Sequence, residues 1–278
     1  MDLAITPALI VYRITEKEFE MSGLAGKVAL VTGASTAGIG RSTALKLARE
    51  GARVAVHYRN GKQGAEETLA AVEAEGGSGF LVCADFSEPG GAKKLWADFD
   101  LHSQTVDIVV NNAGLRGPGF DGLAGAEEKL YDQLFAINLR APLLIIQEAL
   151  RRMPNGGRII NVSTAATYVA IPSDLLYSTL KAGTNLATRT LAWELGGRKI
   201  TVNSVAPGFI NAPMAAPFLA VPEIAAWMKT INALQDVGEP IDVANVIVFL
   251  ASDEGRWITG QVLDASGGTV LGVPPIQR

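Results

Sequence analysis

The chain has 278 residues, 48% hydrophobic and 19% charged, a balance that excludes an intrinsically disordered polypeptide and suffices for one large core. Its 24 Lys and Arg against 28 Asp and Glu leave a net charge of −4, too balanced and acidic for a binder driven by nucleic-acid phosphates. A single cysteine, Cys83, rules out an internal disulfide and a multi-thiolate metal site, and two histidines, His57 and His102, are too few for a histidine-built zinc centre, so no metal is expected.

Residues 1–22 read as an accessory tail. Asp2, Glu16, Glu18 and Glu20 fall where a secretion signal would have a basic start and an apolar core, and Met21 could serve as a second start. The longest apolar runs, 141–146 and 246–251, are far short of the ~20 residues that span a bilayer. A cytoplasmic location away from membranes is the expectation. From Lys27 the chain alternates β-branched apolar runs with helical patterns. Strands are predicted at Val28–Thr32, Arg53–His57, Gly79–Cys83, Val106–Asn111, Arg158–Val162, Thr201–Val205 and Gln261–Asp264. Helices are predicted at Ile39–Glu50, Gln63–Glu75, Gly91–Phe99, Glu128–Met153, Ser178–Leu195 and Ile241–Ser252. The strand cores are apolar on successive residues, as in a parallel sheet covered on both faces. The expectation is therefore one α/β domain over 23–278, a doubly wound parallel sheet of about seven strands with helices on both faces. The segment 211–238 interrupts the alternation with Pro213, Pro217 and Pro222 and is expected to form a lid over a site.

After the first strand, Gly33, Gly38 and Gly40 lead into a helix. Glycines permit close backbone approach, and a helix N-terminus offers free N–H groups to a pyrophosphate. At the end of the second strand an NAD site wants a carboxylate to hold the adenosine ribose. Tyr58 and Arg59 stand there instead, and a guanidinium pairs a phosphate in a forked geometry. NADP(H) is therefore expected in preference to NAD(H), with Arg41 as a second positive group. Further on, Tyr177 and Lys181 lie four residues apart, on one face of a helix. A lysine charge held near a phenol lowers its pKa and fits it for proton transfer.

These stretches, with Asp107-Ile-Val-Val-Asn-Asn-Ala-Gly114, Asn138, Ile159-Ile-Asn-Val-Ser-Thr164, Pro207-Gly208 and Ile258–Gly268, resemble the single-domain short-chain dehydrogenase/reductase family over about residues 27–268. The resemblance implies a Rossmann-type fold and an NADPH-dependent carbonyl reductase, or alcohol dehydrogenase in reverse, acting on a small molecule. It implies Tyr177 as general acid, Lys181 as the group that lowers its pKa and holds the nicotinamide ribose, and Asn138 as holder of a relay water. It also implies a hydroxyl on the carbonyl oxygen from Thr164, thirteen residues before Tyr177, or from Ser163, which a regular strand would turn to the opposite face. The implied cofactor-binding residues are Gly33, Ser35, Gly38, Ile39, Gly40, Tyr58, Arg59, Asp85, Phe86, Asn111, Asn112, Ala113, Gly114, Pro207, Gly208 and Ile210. A homodimer or homotetramer built on the long helices is implied too.

The sequence departs from the family in three places. Four residues, 34–37, separate the first two glycines instead of three; a threonine stands at the serine position; and Ala212 replaces a threonine often found after Pro-Gly. A non-catalytic NADP(H)-binding regulator of the same fold is the alternative reading. Leu115, Arg116, Tyr168, Val169, Asp174, Phe209, Met214, Phe218, Leu219 and Trp227 are the candidate substrate pocket, where Arg116 could receive an anionic group. His57 and His102 are expected to have no catalytic role.

Overall fold

The computed structural model describes residues 23–117, 123, 127–269 and 271–272, so the expected tail at 1–22 lies outside the described residues. Seven parallel strands, β1 (Val28–Val31), β2 (Arg53–Tyr58), β3 (Ser78–Cys83), β4 (Ile108–Asn111), β5 (Arg158–Val162), β6 (Thr201–Pro207) and β7 (Val262–Ala265), form one sheet. Their order is β3-β2-β1-β4-β5-β6-β7. The doubly wound parallel sheet expected from the sequence is present.

Successive residues of each strand feed opposite faces, and each face has its own core. Ala29, Val31, Val110 and Ile160 pack with helices α1 (Ile39–Arg49), α2 (Lys62–Ala74) and α9 (Pro240–Ala251). Leu30, Val109 and Ile159 pack on the other side with α3 (Gly91–Phe99), α5 (Ala141–Ala149) and α6 (Leu175–Leu195). The unbroken apolar runs in the strands follow from this two-sided burial.

The helical pattern read as Glu128–Met153 is α4 (Glu128–Phe135), a π-helical turn at Ala136–Arg140, and then α5. It stops four residues early, where the chain tightens into turns closed by Arg151 N–H to Glu148 O and Arg152 N–H to Ala149 O ahead of Pro154. Helix α6 begins at Leu175, three residues ahead of expectation, so Tyr177 and Lys181 both sit in its first two turns. Segment 211–238 holds two short helices, α7 (Ala216–Leu219) and α8 (Pro222–Thr230). It is anchored where Ile210 bridges Gly238 in parallel. Helix α9 then starts with Pro240 at its first position and a reciprocal cap, in which Glu239 N–H donates to Asp242 Oδ2 at 2.8 Å.

Candidate active site

Strand order reverses direction between β1 and β4, and at such a switch point the loops leaving the two strands diverge and open a crevice at their C-terminal ends. Here the crevice is a cavity of about 850 Å³. It is lined by Gly33, Ser35, Gly38, Ile39, Gly40, Arg59, Asp85, Phe86, Asn112, Ala113, Gly114, Pro207, Gly208 and Ile210, and by Ser163, Thr164, Tyr177 and Lys181. Tyr58, Asn111 and Asn138 do not reach it.

The glycine turn is a backbone cradle. Gly33 takes a positive φ of 67°, and a Cβ on Gly40 would lie 2.4 Å from Gly33 O. Asn112 clips β4 to this turn, its Nδ2 donating to Thr32 O at 2.8 Å and to Gly33 O at 3.0 Å. Helix α1 begins at the cavity with no side-chain cap and no acidic residue in its first turn, so its N-terminus faces the cavity with free N–H groups. The arrangement fits a dinucleotide pyrophosphate despite the extra turn residue.

His57 completes the turn. It is buried, its Nδ1 accepts the Gly33 N–H at 3.1 Å, and its Nε2 therefore carries the proton it shares with Ala84 O at 3.1 Å. Burial pushes its pKa down to about 4, and the ring stacks on Phe86 at 4.4 Å. A neutral imidazole thus shapes the cavity wall, a positioning role that the sequence reading missed. Strand parity was the available signal: His57 and Arg59 share one side of β2 and Tyr58 takes the other. Tyr58 accordingly packs, partly buried, against the core on the α1 and α2 side and does not line the cavity. Arg59 is exposed, and among the described residues its guanidinium has no ion-pair partner. Arg41 turns away to Glu67 on α2 at 3.8 Å and does not line the cavity. Asp85 feels burial, which raises its pKa, but hydrogen bonds from the Ser87 hydroxyl and N–H and the Arg59 charge hold it below its ordinary value.

Tyr177 and Lys181 meet at the other end of the cavity. Burial raises the Tyr177 phenol to about 12, with Arg116 pulling it down and Asp174 pushing it up. Lys181 Nζ donates to Val162 O at 2.7 Å and lies 5.7 Å from the Tyr177 ring centre. Burial lowers its pKa to about 8. The expected lowering of the tyrosine by Lys181 is not among these influences; burial sets the direction, and the phenol holds its proton at neutral pH.

Strand β5 ends at Val162 and the chain turns into a 3-10 turn at Ala165–Thr167, so strand alternation is lost. Both Ser163 and Thr164 line the cavity, although the Ser163 hydroxyl itself is buried. Thr164 Oγ1 accepts the Ala166 N–H at 3.2 Å, whereas buried Ser163 Oγ has no partner among the described residues.

Asn138 sits in the π-helical turn, where its Oδ1 accepts Leu115 N–H at 3.1 Å and its Nδ2 donates to Leu115 O at 2.8 Å and Leu134 O at 3.0 Å. Its side chain is spent pinning the loop after β4. Asn111 likewise turns inward and donates to Asn161 Oδ1 at 3.0 Å.

Of the candidate substrate residues, Leu115, Arg116, Val169, Asp174, Phe209, Met214 and Phe218 line the cavity. Tyr168, Leu219 and Trp227 do not, and Trp227 instead packs edge-on against Phe209 at 6.0 Å. Arg116 is bound by Asp174 through two hydrogen bonds of 2.8 Å, so it is not open to the anionic group it could otherwise receive. Among the described residues no three His, Cys, Asp or Glu side chains cluster as a metal site would require, and no helix is long and apolar enough to cross a membrane.

Residues 33–270 match a family profile described as enoyl-(acyl carrier protein) reductase. A short-chain type dehydrogenase/reductase from Picea abies is 38% identical over 255 residues, covering 89% of this chain and 93% of its own. The structure of angucycline C-6 ketoreductase LanV with bound NADP is similar at a TM-score of 0.85 with 41% identity, covering 90% of this chain and 98% of that one. The promiscuous reductase LugOII, which catalyses keto-reduction at C1 during lugdunomycin biosynthesis, superposes at a TM-score of 0.84 with 45% identity, covering 90% and 100%.

Proposed function

Because the chain belongs to the short-chain dehydrogenase/reductase family, we propose that it interconverts a ketone or aldehyde with an alcohol, using NADP(H) in preference to NAD(H). The observation that carries this reading is the Tyr177 phenol, buried and protonated at the wall of one cavity with Lys181, Ser163 and Thr164, while the uncapped helix and glycine cradle stand at the other end. The dinucleotide, when bound, supplies the hydride. Arg59 would hold an adenosine phosphate, the α1 N-terminus the pyrophosphate, and Lys181 the ribose near the reacting carbonyl.

In the reducing direction Tyr177 gives its proton to the carbonyl oxygen as negative charge develops there. The Thr164 hydroxyl can donate a second hydrogen bond to that oxygen while its own oxygen caps the 3-10 turn, and the buried, unpartnered Ser163 hydroxyl is the alternative donor should the strand end shift. The names of two similar structures, a ketoreductase with bound NADP and a keto-reducing enzyme, support a ketone as the substrate.

Segment 211–238 would act as lid, since Met214 and Phe218 line the cavity. A homodimer or homotetramer belongs to the same proposal, because Leu143 and Leu144 on α5 and Leu186 and Trp193 on α6 are exposed. So does a cytoplasmic location, with a single half-buried cysteine.

The test is NADPH oxidation against a panel of ketones, with NADH in parallel and Tyr177→Phe as control. Turnover that prefers NADPH and falls by about 10²–10⁴-fold in Tyr177→Phe is expected. Tight nucleotide binding without turnover on any carbonyl would favour the non-catalytic regulator.

A further inference from the structure

The part of the cavity beyond Lys181 and Tyr177 contains one further pair of charges. Arg116 enters from the loop after β4 and Asp174 from the turn that precedes α6, fifty-eight residues away in sequence. They meet in a forked, two-bond contact with both distances 2.8 Å. The Arg116 side chain is 17% exposed and that of Asp174 5%, and the Phe218 ring covers the guanidinium at 4.6 Å. Both side chains line the cavity, together with apolar Leu115, Val169 and Phe209. Of the remaining charged groups of the wall, Lys181 stands beside Tyr177, and Arg59 and Asp85 are at the far end with the glycine turn.

We propose that the Arg116–Asp174 pair is a charge filter that makes this pocket select neutral carbonyl substrates over anionic ones, with Asp174 as the specificity-determining residue. An unpaired guanidinium in an apolar wall would seek a carboxylate, because a buried charge without a counter-ion is costly. Asp174 already supplies that carboxylate in the geometry a ligand would need. A substrate carboxylate would have to displace Asp174 and leave it buried and unpaired, three residues from Tyr177. A neutral ketone meets no such cost.

The inference rests on the carbonyl-reductase reading for its catalytic arm only. Calorimetric binding of naphthoate and naphthamide to the free protein, wild type and Asp174→Asn, reads the filter without turnover. The wild type should bind naphthamide better than naphthoate, and Asp174→Asn should improve naphthoate binding by about tenfold or more relative to naphthamide. The Arg116→Gln/Asp174→Asn double variant should lose that gain, because no guanidinium remains. For turnover, acetylbenzoate against its methyl ester offers one ketone with and without charge, and the kcat/KM ratio should shift toward the acid in Asp174→Asn.

Should Asp174→Asn fail to fold, Arg116→Gln gives the mirror test. It leaves Asp174 bare, and binding of naphthylmethylamine should rise about tenfold. An unchanged naphthoate-to-naphthamide ratio in a folded Asp174→Asn, equal wild-type affinity for both probes, or an unchanged amine affinity in Arg116→Gln would each overturn the filter. A wild type that discriminates between the probes but reduces no ketone would sink the reductase reading and leave the filter standing.

Discussion

Burial sets the proton inventory of the site at the scale of single residues. Lys181 drops from 10.5 to about 8 and Tyr177 rises to about 12, so between them the site offers a charged lysine and a neutral phenol at pH 7. Carbonyl reduction needs both, so kcat/KM for reduction should be level below about 8 and fall above it as Lys181 loses its charge. A fall centred near 10 instead would mean that burial does not govern the lysine. The same shift has a stability consequence with a definite sign. A lysine whose pKa is lower folded than unfolded costs stability in full below about 8, and the cost is relieved as pH rises from there to 10.5. The drop corresponds to a penalty on the order of 3 kcal/mol, against about 1–1.5 kcal/mol lost with the bond to Val162 O. Lys181→Met should therefore abolish turnover yet raise stability at pH 7 by about 1–2 kcal/mol, with the gain disappearing by about pH 10. Urea melts at the two pH values check it; a variant less stable than wild type at pH 7 would contradict the sign. The pair itself was legible because helical spacing places i and i+4 together. The direction of its tyrosine was not, because burial depends on what the fold lays over the ring.

Elements fix where these side chains can go. The turn from β1 into α1 separates two glycines that look equivalent in the sequence. Gly40 faces backbone: an added Cβ would lie 2.4 Å from Gly33 O and 2.5 Å from Asn112 Nδ2. Gly38 is extended, at φ −154°, and its Cβ would meet Pro213 Cδ at an ordinary 3.4 Å. Gly40→Ala should thus lower the stability of the free protein by about 1–3 kcal/mol, while Gly38→Ala should leave it nearly unchanged and weaken nucleotide binding alone. Thermal melts with and without NADPH separate the two effects, and equal destabilisation would refute the assigned roles. The π-helical turn between α4 and α5 is the other element with a task, since it swings Asn138 onto the backbone N–H and C=O of Leu115. Asn138→Ala should cost about 2–3 kcal/mol and slacken the loop that carries Arg116, raising KM more than it lowers kcat. Hydropathy periodicity does not distinguish a π turn from an α turn. The helix was therefore legible as one long span, while the contact of Asn138 with Leu115 was not.

Across the whole molecule, the strand-and-helix alternation was enough to read a parallel sheet, because two-sided burial leaves its mark on consecutive residues such as 28–31 and 108–110. What local pattern could not carry were contacts between distant segments: Arg116 with Asp174, Gly33 with His57, and Asn111 with Asn161. All three meet at the C-terminal edge of the sheet, where the cavity lies between the glycine turn, the loop after β4 and the segment after β6. A ligand that spans those three segments couples them, so its affinity should appear as global stability. NADPH at a hundred times its Kd adds about 2.7 kcal/mol, and a chain of this size gains about 2–4 °C per kcal/mol, which gives a rise in Tm of about 5–10 °C. If Arg59 supplies the phosphate contact, NADH at the same concentration, bound about a hundredfold more weakly, adds only about 0.4 kcal/mol and about 1 °C. Arg59→Asp should then erase the difference by lowering the NADPH shift, because a carboxylate repels the phosphate and can hold the ribose hydroxyls instead. Equal shifts from the two nucleotides in the wild type would remove Arg59 from the cofactor site and with it the preference for NADPH.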